Sequence, residues 1–176
     1  FTLIFNGAIY NHRQLRAEIQ RSGWNFRTDC DTEVLLAAFH RWGEGCVARL
    51  RGMFAFAVWD KQKQCLFIAR DQMGRRPLFY HQGNGWFAFA SMPVGLLAVP
   101  EVPTAPDEER LLDLLLLLPD YSDRSYFSGI HRLLPGHKAT LNAGGSLNIR
   151  SYWTPPTEER IYFRSDDDYV DGFVEQ

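Results

Sequence analysis

Phe1-Thr2-Leu3-Ile4-Phe5-Asn6-Gly7-Ala8-Ile9-Tyr10-Asn11 is the stretch on which the fold turns. The run from Phe1 to Phe5 is mostly apolar, as in a strand covered on both faces, because an exposed face demands polar residues at every second position. At Asn6-Gly7 the backbone gains access to positive φ, which glycine takes without penalty and asparagine tolerates. Asn11 suits a helix N-cap, with Gln14 reaching back from the third helical position and Leu15 and Ile19 on one face. Asn6 and Gly7 are then fixed between two ordered elements. A side-chain amide beside an unencumbered N–H, held in that way, can point at a developing oxyanion. Asn-Gly is also the strongest short signal for a two-residue hairpin turn, and this stretch alone leaves both readings open.

The chain has 176 residues, 45% hydrophobic and 23% charged, which suffices for one well-buried domain. A net charge of −2 without a Lys/Arg run gives no electrostatic footprint for nucleic acid or an anionic membrane. The longest leucine run, Leu114 to Leu118, is far below the roughly 20 apolar residues of a spanning helix. Cys30, Cys46 and Cys65 are odd in number and widely spaced without a CxxC, so neither a disulfide framework nor a metal site is expected, and a reducing cytoplasm fits. The histidines at 12, 40, 81, 131 and 137 show no ligand spacing. Phe1 is not an initiator Met and no signal peptide precedes it, as expected of a piece that has lost its true beginning.

Helix-compatible patterning runs from about Asn11 to Ser22, with Gly23 fitting the position after the helix. Trp24 to Thr28 reads as a short strand. A second helix opens at Asp29-Cys30-Asp31-Thr32-Glu33 and carries Leu35, Leu36, Phe39 and Trp42. Asp31 is either its N-cap or a ligand-binding carboxylate. A short helical piece with Val47 and Leu50 follows. Met53 to Trp59 and Cys65 to Ala69 lack alternation and read as strands buried on both faces, joined as a hairpin. Leu78 to Tyr80 and Trp86 to Ala90 form another hairpin through Gly83-Asn84-Gly85. Pro93 to Pro106 reads as an irregular connector, and Asp107-Glu108-Glu109 opens a leucine-rich helix whose stripe is expected in the core. Tyr126 to Gly136 reads as a loop. His137 to Leu141 and Leu147 to Tyr152 pair around Gly144-Gly145, a turn with no helix or Lys after it and hence no phosphate loop. Antiparallel sheets buried on both faces must be stacked with helices outside, which makes the chain α+β with a four-layer αββα sandwich. From Thr154-Pro155-Pro156 the composition changes, and residues 154–176 read as a linker and the truncated start of a second domain, after a first domain over 1–153.

Asn6-Gly7-x-Ile9-Tyr10-Asn11, Asp31-x-Glu33-Val34, Leu50-Arg51-Gly52-Met53-Phe54-Ala55-Phe56-Ala57, Arg70-Asp71-x-x-Gly74-x-x-Pro77-Leu78 and Phe89-Ala90-Ser91, followed by Ile130-x-x-Leu133-x-Pro135-Gly136-His137 and Tyr152-Trp153, stand in one order along the chain. That series resembles the glutaminase domain of glutamine-hydrolysing asparagine synthetases, a class II glutamine amidotransferase. The resemblance implies the sandwich of N-terminal-nucleophile hydrolases. It also implies an N-terminal cysteine that attacks the amide of L-glutamine with its own α-amino group as base. Ammonia then passes to a synthetase domain that uses ATP and magnesium. By the same resemblance the Asn6 side chain and Gly7 N–H serve the oxyanion, each worth about 3 kcal/mol, and Asp31 meets the α-ammonium of glutamine. Arg70 and Asp71 give structural support near the site, no cofactor or metal belongs to this chain, and a homodimer is among the assemblies the resemblance allows.

Three departures stand out. No residue here supplies the N-terminal cysteine, and the family's carboxylate-gripping arginine lies before the first strand. Ala8, at a substrate-contact position, replaces the usual Glu, and Met92-Pro93-Val94 replaces Glu-x-Lys. Losing the Glu removes a polar contact worth roughly 1–3 kcal/mol. The departures keep a second reading open, a non-catalytic pseudo-glutaminase in front of an amide-forming ligase resembling β-lactam synthetases and lasso-peptide cyclases.

Overall fold

Gly52–Asp60 forms the inner strand β2, and its residues alternate in size as well as direction. Phe54, Phe56 and Val58 pack toward one side, Ala55 and Ala57 toward the other, as the two-residue period of a strand requires. In the computed structural model, which describes residues 1–119, 122–156 and 162–174, β2 lies between β1 (Thr2–Ile9) and β3 (Cys65–Arg70). The sheet continues through β7 (His137–Leu141) to β8 (Leu147–Ser151), antiparallel at every step. A second antiparallel sheet has the order β5 (Phe87–Ala90), β4 (Phe79–Gln82), β6 (His131–Arg132).

Three cores separate four layers. The first lies between the larger sheet and α1 (His12–Gln20), α2 (Asp31–Trp42) and a 3₁₀ segment (Gly43–Arg49); Leu15, Ile19, Val34, Leu35 and Val47 meet Phe54, Phe56 and Phe67 there. Each such fully buried side chain contributes about 1.5–3 kcal/mol relative to exposure. The second core is made of Ala55, Ala57, Ile68, Leu78, Leu133 and Ala139 between the sheets. Its alanines let the two sheets approach. The third joins Leu96 of α3 (Pro93–Leu97), Val102 and Ile130 to the outer face of the smaller sheet. The expected αββα sandwich is therefore present.

Several local expectations are corrected. β1 is not covered on both faces: it is the edge of its sheet, Ile4 is 61% exposed, and it continues through Asn6-Gly7 to Ile9 instead of turning there. An apolar run cannot reveal that one neighbouring layer stops short of it. Asn11 makes no side-chain cap. Its carboxamide donates to Arg49 O and accepts from Arg51 N–H, tying the start of α1 to the approach to β2. Trp24 to Thr28 is not a strand. Inside the supposed connector α3 forms with Pro93 in its first turn, where a missing N–H costs nothing. β6 interrupts the supposed loop because His131 and Arg132 pair with Tyr80 and Phe79. In α2 the buried face comprises Val34, Leu35, Ala37, Ala38 and Phe39, while Leu36 and Trp42 are half-buried. Of the leucines of α4 (Glu108–Leu115), Leu111 is half-buried and Leu112, Leu114 and Leu115 are exposed, so the stripe is not core. Residues 157–161 of the expected linker lie outside the described residues; beyond them α5 (Asp166–Val174) opens with a reciprocal Ser165–Asp168 cap.

Candidate active site

The free edge of β1 carries the candidate groups, and the hydrogen bonding of β2 decides which way they point. Phe54 directs both its backbone groups away from β1: its N–H donates to Asp71 Oδ2 at 3.1 Å and its C=O accepts from Asp71 N–H at 2.8 Å. Gly7 is the register partner of Phe54. In an antiparallel ladder the partner of such a residue is a non-hydrogen-bonded pair, so the Gly7 N–H points away from β2, into the open edge. The next N–H on that side, two residues on at Ile9, donates to Asp31 Oδ2 at 2.9 Å. The Gly7 N–H and the Asp31 carboxylate thus share one edge, roughly 7 Å of strand apart.

Only glycine fits at position 7. Its φ is 153°, and a Cβ would overlap the Met53 carbonyl oxygen. Gly52, with φ 154°, approaches the Ala8 carbonyl in the reciprocal way. The two glycines let β1 and β2 close where the edge must be exact in position. Ala8 brings no polar group to this corner.

Asn6 projects to the other face of β1, toward the smaller sheet. Its Nδ2 donates to Ser91 Oγ at 3.1 Å, at the end of β5. Between the two strands lies a cavity of about 210 Å³ whose walls include Ile4, Ala57, Leu78 and Phe89, with Asn6 and Ser91 its polar lining. A primary amide has two N–H donors, so the bond to Ser91 orients the carboxamide and leaves one N–H for a ligand.

Asp31 is the first residue of α2 and makes no N-cap; the cap position belongs to Cys30. Glu33 instead gathers the preceding loop, accepting from the N–H groups of Arg27 and Thr28 and from the Thr28 hydroxyl. Those bonds, that of the Thr28 hydroxyl foremost, hold the Glu33 carboxyl below its ordinary range. Of the thiols, exposed Cys30 has a lowered pKa, first because the Thr28 hydroxyl bonds its sulfur and then because nearby backbone N–H groups do. Burial pushes Cys46 up to about 12 and raises Cys65.

Arg70 and Asp71 brace this corner from behind. Asp71, 1% exposed, accepts from four backbone N–H groups, those of Phe54, Met73, Arg75 and Arg76. Arg70 donates to the carbonyls of Gly74, Arg76 and Leu133, joining the loop after β3 to the smaller sheet, and burial lowers its pKa. Tyr152 donates to Arg70 O at 2.7 Å. Asp71 thereby fixes Phe54, and Phe54 fixes the side of β1 on which the Gly7 N–H emerges.

The structure brings Asn6 and Gly7 of the edge strand together with Asp31 and places Arg70 and Asp71 two strands away, at the end of β3. Ser91 was legible in sequence as part of Phe89-Ala90-Ser91, but not its bond across the sheets to a residue 85 positions away. The N–H of Ile9 as a partner of Asp31 has no side-chain signal at all. Among the described residues no group of three or more His, Cys, Asp or Glu could hold a metal ion, and no helix is long and apolar enough to cross a membrane.

Solved structures share the fold: a glutamine phosphoribosylpyrophosphate amidotransferase from B. subtilis aligns with TM-score 0.62 at 21% identity, over 86% of this chain and 29% of that one. The asparagine synthetase [glutamine-hydrolyzing] 3 of Bacillus subtilis (strain 168) is 39% identical over 90% of the chain, and a putative asparagine synthetase [glutamine-hydrolyzing] of Mycobacterium tuberculosis is 40% identical over 81%. The chain spans only 26% and 22% of the length of these relatives. A family model described as a glutamine amidotransferase domain matches residues 1–153, and the chain, with the backbone geometry at Gly7 and the ordered motifs around it, belongs to that family.

Proposed function

We propose that this chain is the glutamine-handling domain of an asparagine synthetase-like enzyme: it holds L-glutamine so that the side-chain amide is cleaved to glutamate and ammonia, which a synthetase domain uses for ATP-dependent amide formation. The observation that carries this is the shared edge of β1, where the Gly7 N–H points outward beside the Asp31 carboxylate, itself anchored on Ile9. Asp31 offers a carboxylate to the substrate's α-ammonium. The Gly7 N–H and the free N–H of Asn6 stabilise the oxyanion that forms when the amide carbon becomes tetrahedral, and they are placed before the reaction starts. The attacking thiol is not Cys30, Cys46 or Cys65, which have no α-amino group of their own. In the reaction proposed, an N-terminal cysteine supplies sulfur and base together.

ATP and magnesium belong to the synthetase domain in this reading. What supports this is the Gly144-Gly145-Ser146 segment, which joins β7 to β8 as a hairpin turn, without the helix N-terminus that would cradle a phosphate. The free thiols suit a reducing cytoplasm.

Isothermal titration with L-glutamine tests the assignment. Binding in the micromolar to low-millimolar range is expected, lost in Asp31→Ala, while an analogue lacking the α-amino group binds weakly and equally to both proteins. Absence of glutamine binding to the wild type, or binding indifferent to Asp31→Ala, overturns it.

A further inference from the structure

The Asp31 carboxylate stands at the end of a loop that packing does not hold. Residues 27–30 are exposed, Asp31 and Glu33 are half-buried, and the next buried side chain is Val34, in the body of α2. Hydrogen bonds to the loop backbone therefore decide where this segment lies.

Glu33 makes the main ones. As the third residue of α2 it would ordinarily reach back to the N-cap N–H and close a capping box. It reaches further instead: Oε1 accepts from Arg27 N–H at 2.9 Å, and Oε2 accepts from the Thr28 N–H and the Thr28 hydroxyl, each at 2.7 Å. Arg16 adds a bond to the Thr28 carbonyl and an ion pair with Asp29. With both oxygens engaged, the Glu33 carboxylate is fixed in direction. The loop is thus closed onto the first turn of α2, and Cys30 enters the helix in an extended conformation, φ −79° and ψ 151°. That entry sets the direction in which the Asp31 side chain leaves the backbone. Asp31 Oδ2 then meets the Ile9 N–H at 2.9 Å, while Oδ1 has no hydrogen-bond partner among the described residues.

We propose that Glu33 is a positioning residue for substrate selection: its clamp on residues 27 and 28 holds the Asp31 carboxylate on Ile9 with one oxygen left for an ammonium group, and so sets the preference for ligands that carry one. The inference rests on the glutamine reading of the β1 edge. The oxyanion donors do not depend on this loop, because Asn6 is oriented by Ser91 and the direction of the Gly7 N–H follows from Asp71 and Phe54. Loosening the loop therefore weakens the ammonium contact alone, a charge-assisted bond that needs close approach.

Isothermal titration of the full chain with L-glutamine and with 4-carbamoylbutanoate, which is glutamine without its α-amino group, tests the proposal. The wild type is expected to prefer glutamine, and Asp31→Ala to show no preference. Glu33→Ala lowers glutamine affinity about tenfold or more, the worth of a hydrogen bond to a charged group, and leaves the affinity for 4-carbamoylbutanoate unchanged. Glu33→Gln, which keeps one acceptor oxygen, recovers part of the preference. A wild type that binds both ligands equally, or neither, overturns the glutamine reading and this inference with it. A preference that is lost in Asp31→Ala but kept in Glu33→Ala overturns this inference alone. So does a Glu33→Ala protein that loses affinity for both ligands alike, or a Glu33→Gln protein with no more preference than Glu33→Ala.

Discussion

The carboxamide of Asn6 donates a 3.1 Å hydrogen bond to the Ser91 hydroxyl, joining the edge strand of one sheet to the edge strand of the other. Ser91→Ala removes the acceptor and lets the amide rotate. Glutamine affinity is expected to fall about fivefold, near 1 kcal/mol, the usual net worth of one such bond. The melting temperature moves little, because the pair is exposed, and Ser91→Thr restores binding. Calorimetric titration and thermal melts of the three proteins check this.

Gly7 and Gly52 are held to glycine by opposing carbonyls. Gly7→Ala and Gly52→Ala each force a methyl onto a backbone oxygen at a φ that side chains avoid, with an expected loss of at least about 2 kcal/mol. Gly45→Ala, in open space at an ordinary φ, serves as the control and stays near wild type. Urea denaturation measures all three.

Asp71→Ala strands four buried or half-buried N–H groups at once. A loss of about 3–5 kcal/mol is expected, because each buried donor left without an acceptor costs about 1–3 kcal/mol. Asp71→Asn retains one acceptor oxygen and loses less. In both variants glutamine binding falls as well, since Phe54 no longer fixes the outward direction of the Gly7 N–H.

The three thiols respond to pH in opposite senses. Cys30, whose thiolate is favoured by the Thr28 hydroxyl, alkylates at lower pH than an ordinary cysteine, and mass spectrometry finds the label there first. Cys46 keeps its proton to about 12 in the folded chain, against 9.0 ordinarily. Its contribution to stability is therefore complete below pH 9 and declines as pH rises toward 12, because the unfolded chain alone releases the proton; the slope approaches about 1.4 kcal/mol per pH unit. Cys46→Ala removes that part of the alkaline slope, which denaturation at stepped pH detects.

Periodicity made the sandwich legible. The unbroken apolar runs of β2 and β3 belong to strands covered on both faces, and the glycine-rich turns mark where the hairpins reverse. It failed where an apolar residue has no neighbour to meet. Ile4 and Leu115 look in sequence like Ile68 and Leu35, and only the assembled layers show that the first two are left exposed. Asn11 and Asp31 failed as N-caps for a related reason: each has a better partner across the fold, Arg49 and Arg51 for one and Ile9 for the other. The residues Asn6, Gly7 and Asp31 were nameable from their motifs, whereas their common edge depends on strand register, which no single segment encodes.

The most direct test of the account is a titration of the ¹⁵N-labelled chain with L-glutamine, followed through the Gly7 backbone amide and the Asn6 side-chain amide. Both resonances are expected to shift together and saturably with one dissociation constant, and to stay still in Asp31→Ala. Glutamine that leaves both resonances in place, or moves them equally in Asp31→Ala, contradicts the assignment of this strand edge as the glutamine site.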